Sequence, residues 1–224
     1  MFKPTTTAAW LAAALFASAA PLPAGAQAAA SAPPVYPLRD FFQNVPKGYF
    51  RLADDGKTLS FMQPTGDARR RNIFVQALAG SAPQAEPRQL TTETARDIGS
   101  YFWKGSRTML YQKDFGGDEN FHVVAVDAVT AKVTDLTPYP GARAEVADDL
   151  PDDPDHVIIS HNKRDPKVFD LFRVDVHTGE SVLIAENPGD VTGWQTDHAG
   201  RVRLAVVSEG LNTVMKYREG ATGP

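Results

Sequence analysis

The chain has no cysteine, no surplus of positive charge, no apolar run long enough to cross a bilayer and no sustained helical periodicity. Without cysteine there is no disulfide framework, thiol nucleophile, zinc ribbon or lipid-modified cysteine. Covalent chemistry would have to use Ser, Thr, Lys or a carboxylate. With 23 basic against 27 acidic residues the net charge is −4, which leaves no footprint for a nucleic-acid backbone and no polybasic patch for an anionic membrane. What is present is a globular composition: 224 residues, 42% hydrophobic and 22% charged, with 17 Gly and 17 Pro. That is material for one domain or two, and it excludes disorder throughout and a coiled coil.

The amino terminus stands apart from the rest. Ala8 to Ala20 is an uncharged apolar run of 13 residues behind Lys3, and a spanning helix needs about 20. Small residues follow at Ala24-Gly25-Ala26 and Ala26-Gln27-Ala28, the pattern that signal peptidase reads. The expectation is a signal peptide over residues 1–26, with cleavage after Ala26 or Ala28 and export to the periplasm or the medium. A frayed Ala-rich tail and a short membrane anchor are the alternatives. Residues 27–37 are Ala, Ser and Pro with little else, which reads as a flexible linker.

From there the chain repeats. Apolar strand-like centres occur at Leu59-Ser60-Phe61, Met109-Leu110-Tyr111, Val157-Ile158-Ile159 and Val202-Arg203-Leu204, with third residues 50, 48 and 45 positions apart. After each centre and a polar turn comes an alternating segment, beginning at Asn72, Asn120, Asp170 and Asn212. A third element follows at Arg88 to Thr91, Val133 to Thr137 and Ser181 to Ile184, and a fourth precedes each centre at Tyr49 to Leu52, Ile98 to Trp103, Ala144 to Ala147 and Val191 to Trp194. Turns such as Asp54-Asp55-Gly56 and Thr178-Gly179-Glu180 supply the positive-φ and side-chain-bonded conformations of tight hairpins.

Four-stranded antiparallel units recurring about every 45 residues are the signature of β-propeller blades. A plain β-sandwich also has short strands and turn signals but does not require landmarks in phase. The expected fold is therefore all-β, a partial propeller over residues 38–224 with blades near 48–92, 97–138, 143–186 and 190–224. Rings close with roughly 4 to 8 blades, and the fourth unit here runs out after its third strand, so the ring is expected to be incomplete. A face baring about 500 Å² of apolar surface would forfeit roughly 12 kcal/mol, comparable to a domain's net stability of about 5 to 15 kcal/mol. Such a chain is expected to associate, aggregate or be degraded.

Three runs carry a family likeness: Gly116-Gly117-Asp118-Glu119-Asn120-Phe121, Asp135-Leu136-Thr137-Pro138-Tyr139-Pro140-Gly141-Ala142-Arg143-Ala144, and Asn162-Lys163-Arg164-Asp165-Pro166-Lys167-Val168-Phe169-Asp170-Leu171. Together with the acidic turn Asp152-Asp153-Pro154-Asp155 they resemble the amino-terminal propeller of the prolyl oligopeptidase family of serine peptidases, in its secreted dipeptidyl and acylaminoacyl peptidase-like branch. The likeness covers Pro37 to Tyr217. It implies a propeller that caps a carboxy-terminal α/β-hydrolase domain, screens out folded proteins and admits short peptides to a Ser, Asp and His triad at the interface.

The chain departs from that pattern at the chemistry. A nucleophile elbow needs G-x-S-x-G, and none of Ser31, Ser60, Ser81, Ser100, Ser106, Ser160, Ser181 and Ser208 has glycine on both sides; Ser208 has Gly210 but Val206. No catalytic residue carries over, and the hydrolase domain is not in the sequence. Asp148, Asp149, Asp152, Asp153 and Asp155 lack the glycine and terminal glutamate of an EF-hand loop. The histidines 122, 156, 161, 177 and 198 make no H-E-x-x-H, and His156 and His161, five apart on a strand, face opposite ways. Asp114-Phe115-Gly116 lacks the other kinase motifs and reads as a turn. Arg69-Arg70-Arg71 reads as a hairpin loop that could meet an acidic partner or a substrate carboxylate. Glu119 and Glu145 are candidates to hold a substrate amine, a role that relatives of this kind have and that the motifs do not fix here.

No catalytic, cofactor or metal residue is therefore assigned. The expected function is the propeller portion of an exported prolyl oligopeptidase-like peptidase, inactive alone and steering short peptides when joined to its hydrolase domain. The alternatives are a periplasmic TolB-like propeller acting as a binding scaffold, and a self-contained propeller lyase or glycosidase. The last needs carboxylates or a metal converging on a closed ring's axis.

Overall fold

A computed structural model describes residues 35–42 and 45–220. The expected signal peptide and most of the expected linker lie outside these residues. The chain divides into two units, residues 1–43 and 44–224. In the first, the described residues form one 3-10 turn, Leu38–Phe42. Among the described residues no helix is long and apolar enough to cross a membrane.

The described residues of the second unit form sixteen strands in four antiparallel sheets. The first blade comprises β1 (Gly48–Leu52), β2 (Thr58–Thr65), β3 (Arg70–Ala79), a short β4 (Ala82–Pro83) and β5 (Arg88–Gln89), which pairs with β3. The second is β6 (Tyr101–Lys104), β7 (Thr108–Lys113), β8 (His122–Asp127) and β9 (Val133–Asp135). The third is β10 (Ala144–Asp148), β11 (His156–Asp165), β12 (Val168–Asp175) and β13 (Ser181–Ala185). The fourth has three strands, β14 (Val191–Thr196), β15 (Val202–Glu209) and β16 (Asn212–Tyr217). Each sheet runs in chain order, as propeller blades do. The strand-like centres of the sequence lie on β2, β7, β11 and β15.

The period-two geometry of these strands explains how the blades stack. On β7, Met109 and Tyr111 enter a core shared with Met62, Ile73 and Val75 of the first blade, while Leu110, pointing the other way, enters a core with Val157, Ile159 and Val174 of the third. On β11, Ile158 turns its back on that core and packs with Leu171 and with Val202 of the fourth blade. Side chains such as Met109, Leu110 and Ile158 are fully buried, each contributing about 1.5 to 3 kcal/mol. The three cores thus join successive blades. Among the described residues no such core joins the fourth blade to the first, so the propeller is an incomplete ring.

Polar groups lock the blades where the apolar cores end. The Tyr101 hydroxyl and the Trp103 Nε1–H of the second blade both donate to Ser60 Oγ of the first, each at 2.8 Å. Lys104, almost fully buried, donates through Nζ to the carbonyls of Asp149 and, at 2.6 Å, of Leu150. The Thr196 hydroxyl donates to the Asp148 carboxylate, and Trp194 Nε1–H donates to the Phe169 carbonyl at 3.1 Å, joining blades three and four.

A second set of bonds recurs at the start of the third strand in the first three blades. Asn72 Oδ1 accepts from the Thr91 hydroxyl at 2.9 Å and from the Glu93 N–H at 2.7 Å, and Thr91 Oγ1 accepts the Ile73 N–H at 2.9 Å. In the second blade Thr137 Oγ1 accepts the Val123 N–H at 3.0 Å, which puts His122, two residues beyond Asn120, in the place of Asn72. Asn120 instead turns back on Asp118 within a longer loop. In the third blade Asp170 accepts the Asn187 N–H at 2.7 Å, and Asn187 Oδ1 accepts the Gly189 and Val191 N–H groups at the start of the next blade.

Candidate functional site: the inter-blade clefts

Strands of successive blades touch one another: β1 touches β6, β10 touches β8, and β14 touches both β10 and β12. Side chains on these strands line the clefts between blades. Between blades three and four lies a cleft of about 710 Å³, bordered by Arg143 just before β10 and Glu145 on it, Lys167 just before β12 and Phe169 on it, and Asp190 and Trp194 of the fourth blade. A neighbouring cleft of about 460 Å³ between blades two and three shares Arg143 and Glu145 and adds Phe102, Tyr111, Gln112 and Phe121.

Arg143 and Glu145 therefore border both clefts, at the centre of a polar groove lined from blades two, three and four. They precede and open β10, two residues apart, and both are exposed. The β10–β11 register puts Glu145 opposite the buried Ser160. Among the described residues neither the Arg143 guanidinium nor the Glu145 carboxylate has a hydrogen-bond or ion-pair partner. A free cation and a free anion side by side, beside aromatic walls, can hold a polar chain by its charged ends or its peptide groups. They supply no nucleophile.

Of the two glutamates singled out from the sequence, Glu145 enters this groove and Glu119 does not. Glu119 lies in the β7–β8 loop, with φ of +59°. The signal for Arg143 was present in the run ending Gly141-Ala142-Arg143-Ala144, but its meaning depended on which strand edge meets the next blade. Arg69, Arg70 and Arg71 are not all in a loop: Arg69 is in the turn, whereas Arg70 and Arg71 are on β3, and Arg71 donates to the Tyr49 hydroxyl at 2.7 Å and faces Asp97.

Three histidines pair with aspartates. His122 Nδ1 is 2.7 Å from Asp135 Oδ2 beneath the Phe115 ring, His156 Nδ1 is 3.1 Å from Asp153, and His177 Nε2 is 3.0 Å from Asp155. A triad would need a serine hydroxyl on the other ring nitrogen, and among the described residues no serine bonds a histidine. His161 is buried, stacked on Phe172 at 4.0 Å between centroids. Burial first, then Lys163, lowers its pKa against an opposing pull from Asp170.

Asp148, Asp153 and Asp155 of the acidic cluster are engaged within their loop and with neighbouring side chains. Asp148 Oδ1 accepts the Leu150 N–H, Asp153 accepts the Asp155 and His156 N–H groups and pairs with Arg173, and Asp155 pairs with His177. Among the described residues no three His, Asp or Glu side chains converge as a metal ion requires.

No family model matches the chain. Dipeptidyl aminopeptidase BIII of Pseudoxanthomonas mexicana is 34% identical over 183 residues, which are 81% of this chain and 26% of that protein. The chain thus spans about a quarter of the length of the curated relative it matches. Among solved structures, an oligogalacturonate lyase in complex with manganese superposes with a TM-score of 0.52 at 10% identity, covering 76% of this chain and 50% of that one; the likeness is of fold. The β-propeller domain of the Trilobed protease from Pyrococcus furiosus has a TM-score of 0.47 at 15% identity, covering 73% and 50%.

Proposed function

From its kinship with the propeller portion of prolyl oligopeptidase-family peptidases, we propose that this chain is the propeller part of an exported peptidase and steers short peptides towards a hydrolase domain. The observation that carries the reading is the 34% identity with dipeptidyl aminopeptidase BIII over 81% of the chain. The groove around Arg143 and Glu145 is the surface we assign to peptide contact, with the Glu145 carboxylate free to meet a cationic group. The bond-breaking residues belong to the hydrolase domain, and the propeller contributes selection by size and charge.

The test is the coding frame beyond Pro224 at the native locus, together with the activity of the purified chain. An open frame running through G-x-S-x-G, Asp and His, with a chain that leaves dipeptide p-nitroanilides intact, supports the proposal. A stop codon directly after Pro224 with a stable short product overturns it in favour of a binding scaffold. Hydrolysis by the chain alone, blocked by a serine-directed phosphonate, overturns the assignment of chemistry to a separate domain.

A further inference from the structure

Three buried side-chain polar atoms among the described residues have no hydrogen-bond partner: Arg70 Nε, Asp114 Oδ1 and His161 Nε2. The residues that carry two of them, Arg70 and Asp114, of opposite charge, border one cleft of about 340 Å³ between the first and second blades. Leaving an acceptor or donor dry and unpaired is costly. Two residues of opposite charge that each carry such an atom border one cavity, which singles it out as a place for a polar ligand.

The charges in this cleft do not cancel. Glu93 is occupied by Lys113 Nζ at 2.8 Å and by the Tyr111 hydroxyl at 3.3 Å. Asp97 accepts the Arg71 N–H at 3.0 Å and faces the Arg71 guanidinium at 3.4 Å. Arg70 has no ion-pair partner among the described residues. Arg96 reaches only to 3.7 Å from Asp114 Oδ1, beyond hydrogen-bond length, while the Asp114 side chain is 5% exposed. Arg96 alone faces the remaining carboxylate, and the positive charge of Arg70 is unbalanced. Gly117, at φ of +86°, leaves the space in which the Arg96 guanidinium lies, because a Cβ there would collide with it.

We propose that this cleft binds an α-carboxylate whose neighbouring carbon carries a nitrogen donor, as at the carboxyl terminus of a peptide or in a free amino acid. Arg70 and Arg96 take the carboxylate, in the planar paired manner that guanidinium favours, and the adjacent N–H reaches Asp114. An inorganic anion satisfies the arginines but leaves Asp114 unpaired and repelled. The cleft volume suits one or two residues. The assignment rests on the cleft and is independent of any peptide hydrolysis, so absence of peptidase activity leaves it standing.

The full chain is titrated calorimetrically with an N-acetylated tripeptide bearing a free carboxyl terminus, the same peptide amidated, free leucine, and sodium sulfate. The free acid is expected to bind, and amidation to weaken it at least tenfold. Arg70→Gln and the more exposed Arg96→Gln should each weaken binding about tenfold, a loss typical of a charge-assisted bond. Arg69→Gln, removing the same charge from the turn, should change it less than twofold. Circular dichroism establishes that each variant is folded. Binding of the tripeptide but not leucine assigns the site to peptide termini, and equal binding of leucine assigns it to amino acids; both uphold the carboxylate. Equal affinity for acid and amide, wild-type affinity in both arginine variants, tight sulfate binding with the same arginine dependence, or no binding at all overturns it.

Discussion

Ala131 occupies a backbone conformation that its side chain opposes. The β8–β9 and β12–β13 turns are built alike: Asp127 Oδ1 accepts the Val129 and Thr130 N–H groups, as Asp175 Oδ1 accepts those of His177 and Thr178. The next residue is Ala131 at φ of +60° in one turn and Gly179 at +78° in the other. The left-handed region costs an L-residue about 1 to 2 kcal/mol, partly offset by glycine's greater freedom when unfolded. The Ala131 methyl packs against the core of the first two blades, which offsets part of the gain, so Ala131→Gly should stabilise the chain by no more than about 0.5 kcal/mol, raising Tm by up to roughly 2 °C. Gly179→Ala should destabilise it by about 0.5 to 1 kcal/mol, because its new Cβ would meet only Leu136 at 4.0 Å, an ordinary contact. A thermal melt that moves the opposite way for either variant contradicts this account. The turn aspartates matter more than their exposure suggests. Burial alone would raise the Asp127 pKa, but the Thr130 N–H, Arg107 and the Val129 N–H together bring it to about 2.

Within the elements, much of the fold was readable and most of the site was not. Central strands such as β7 and β11 bury both faces, so their centres are apolar runs spaced by the blade repeat, and runs of that kind show in sequence. The fourth strands are short, β5 being Arg88–Gln89, yet their turns mark them. What sequence could not reveal is which polar residue becomes the buried tie of its blade. Asn72, His122 and Asp170 differ in chemistry and are defined by their bonds. The clefts are harder still to foresee, because Arg70 and Arg96, or Arg143 and Asp190, come together only when one blade meets the next.

His161, on β11, offers a pH test at this scale. Its Nε2 is unpartnered, Tyr139 and Phe172 cover the ring, Lys163 is nearby, and Asp170 lies opposite on β12. Its folded pKa is below the unfolded value of about 6.5. Below that value the unfolded chain binds a proton that the folded chain does not, so stability falls as pH falls from 6.5 towards the folded pKa. His161→Phe keeps the stack on Phe172 and removes the titration. Urea melts should show its stability within about 1 kcal/mol of the parent at pH 7.5, with a flatter dependence between pH 6.5 and 5. An unchanged slope would place the acid sensitivity elsewhere.

At the scale of the molecule, the outermost blades are unequal. The free face of the first is closed over by a stack of Phe50, Phe61 and Phe74, with ring centroids 5.6 and 5.8 Å apart and Lys47 above Phe61. The fourth blade has no comparable cover among the described residues. Its β16 pairs only with β15, whereas β3, β8 and β12, the strands in the same position, each pair on their far side with a further strand. Met215 and Tyr217 on β16 are 67% and 61% exposed. An unpaired strand edge with apolar side chains is a template for another chain, so the purified protein should associate through β16. Sedimentation should give a mass above 24.3 kDa that rises with concentration. Replacing Met215 and Tyr217 by Lys should lower that mass with little change in Tm, because both side chains are mostly exposed. A concentration-independent monomer would mean that β16 is blunted by its flanking charges, Lys216 with Asp190 and Glu209. Lys216→Ala would then release the association that the wild-type edge suppresses.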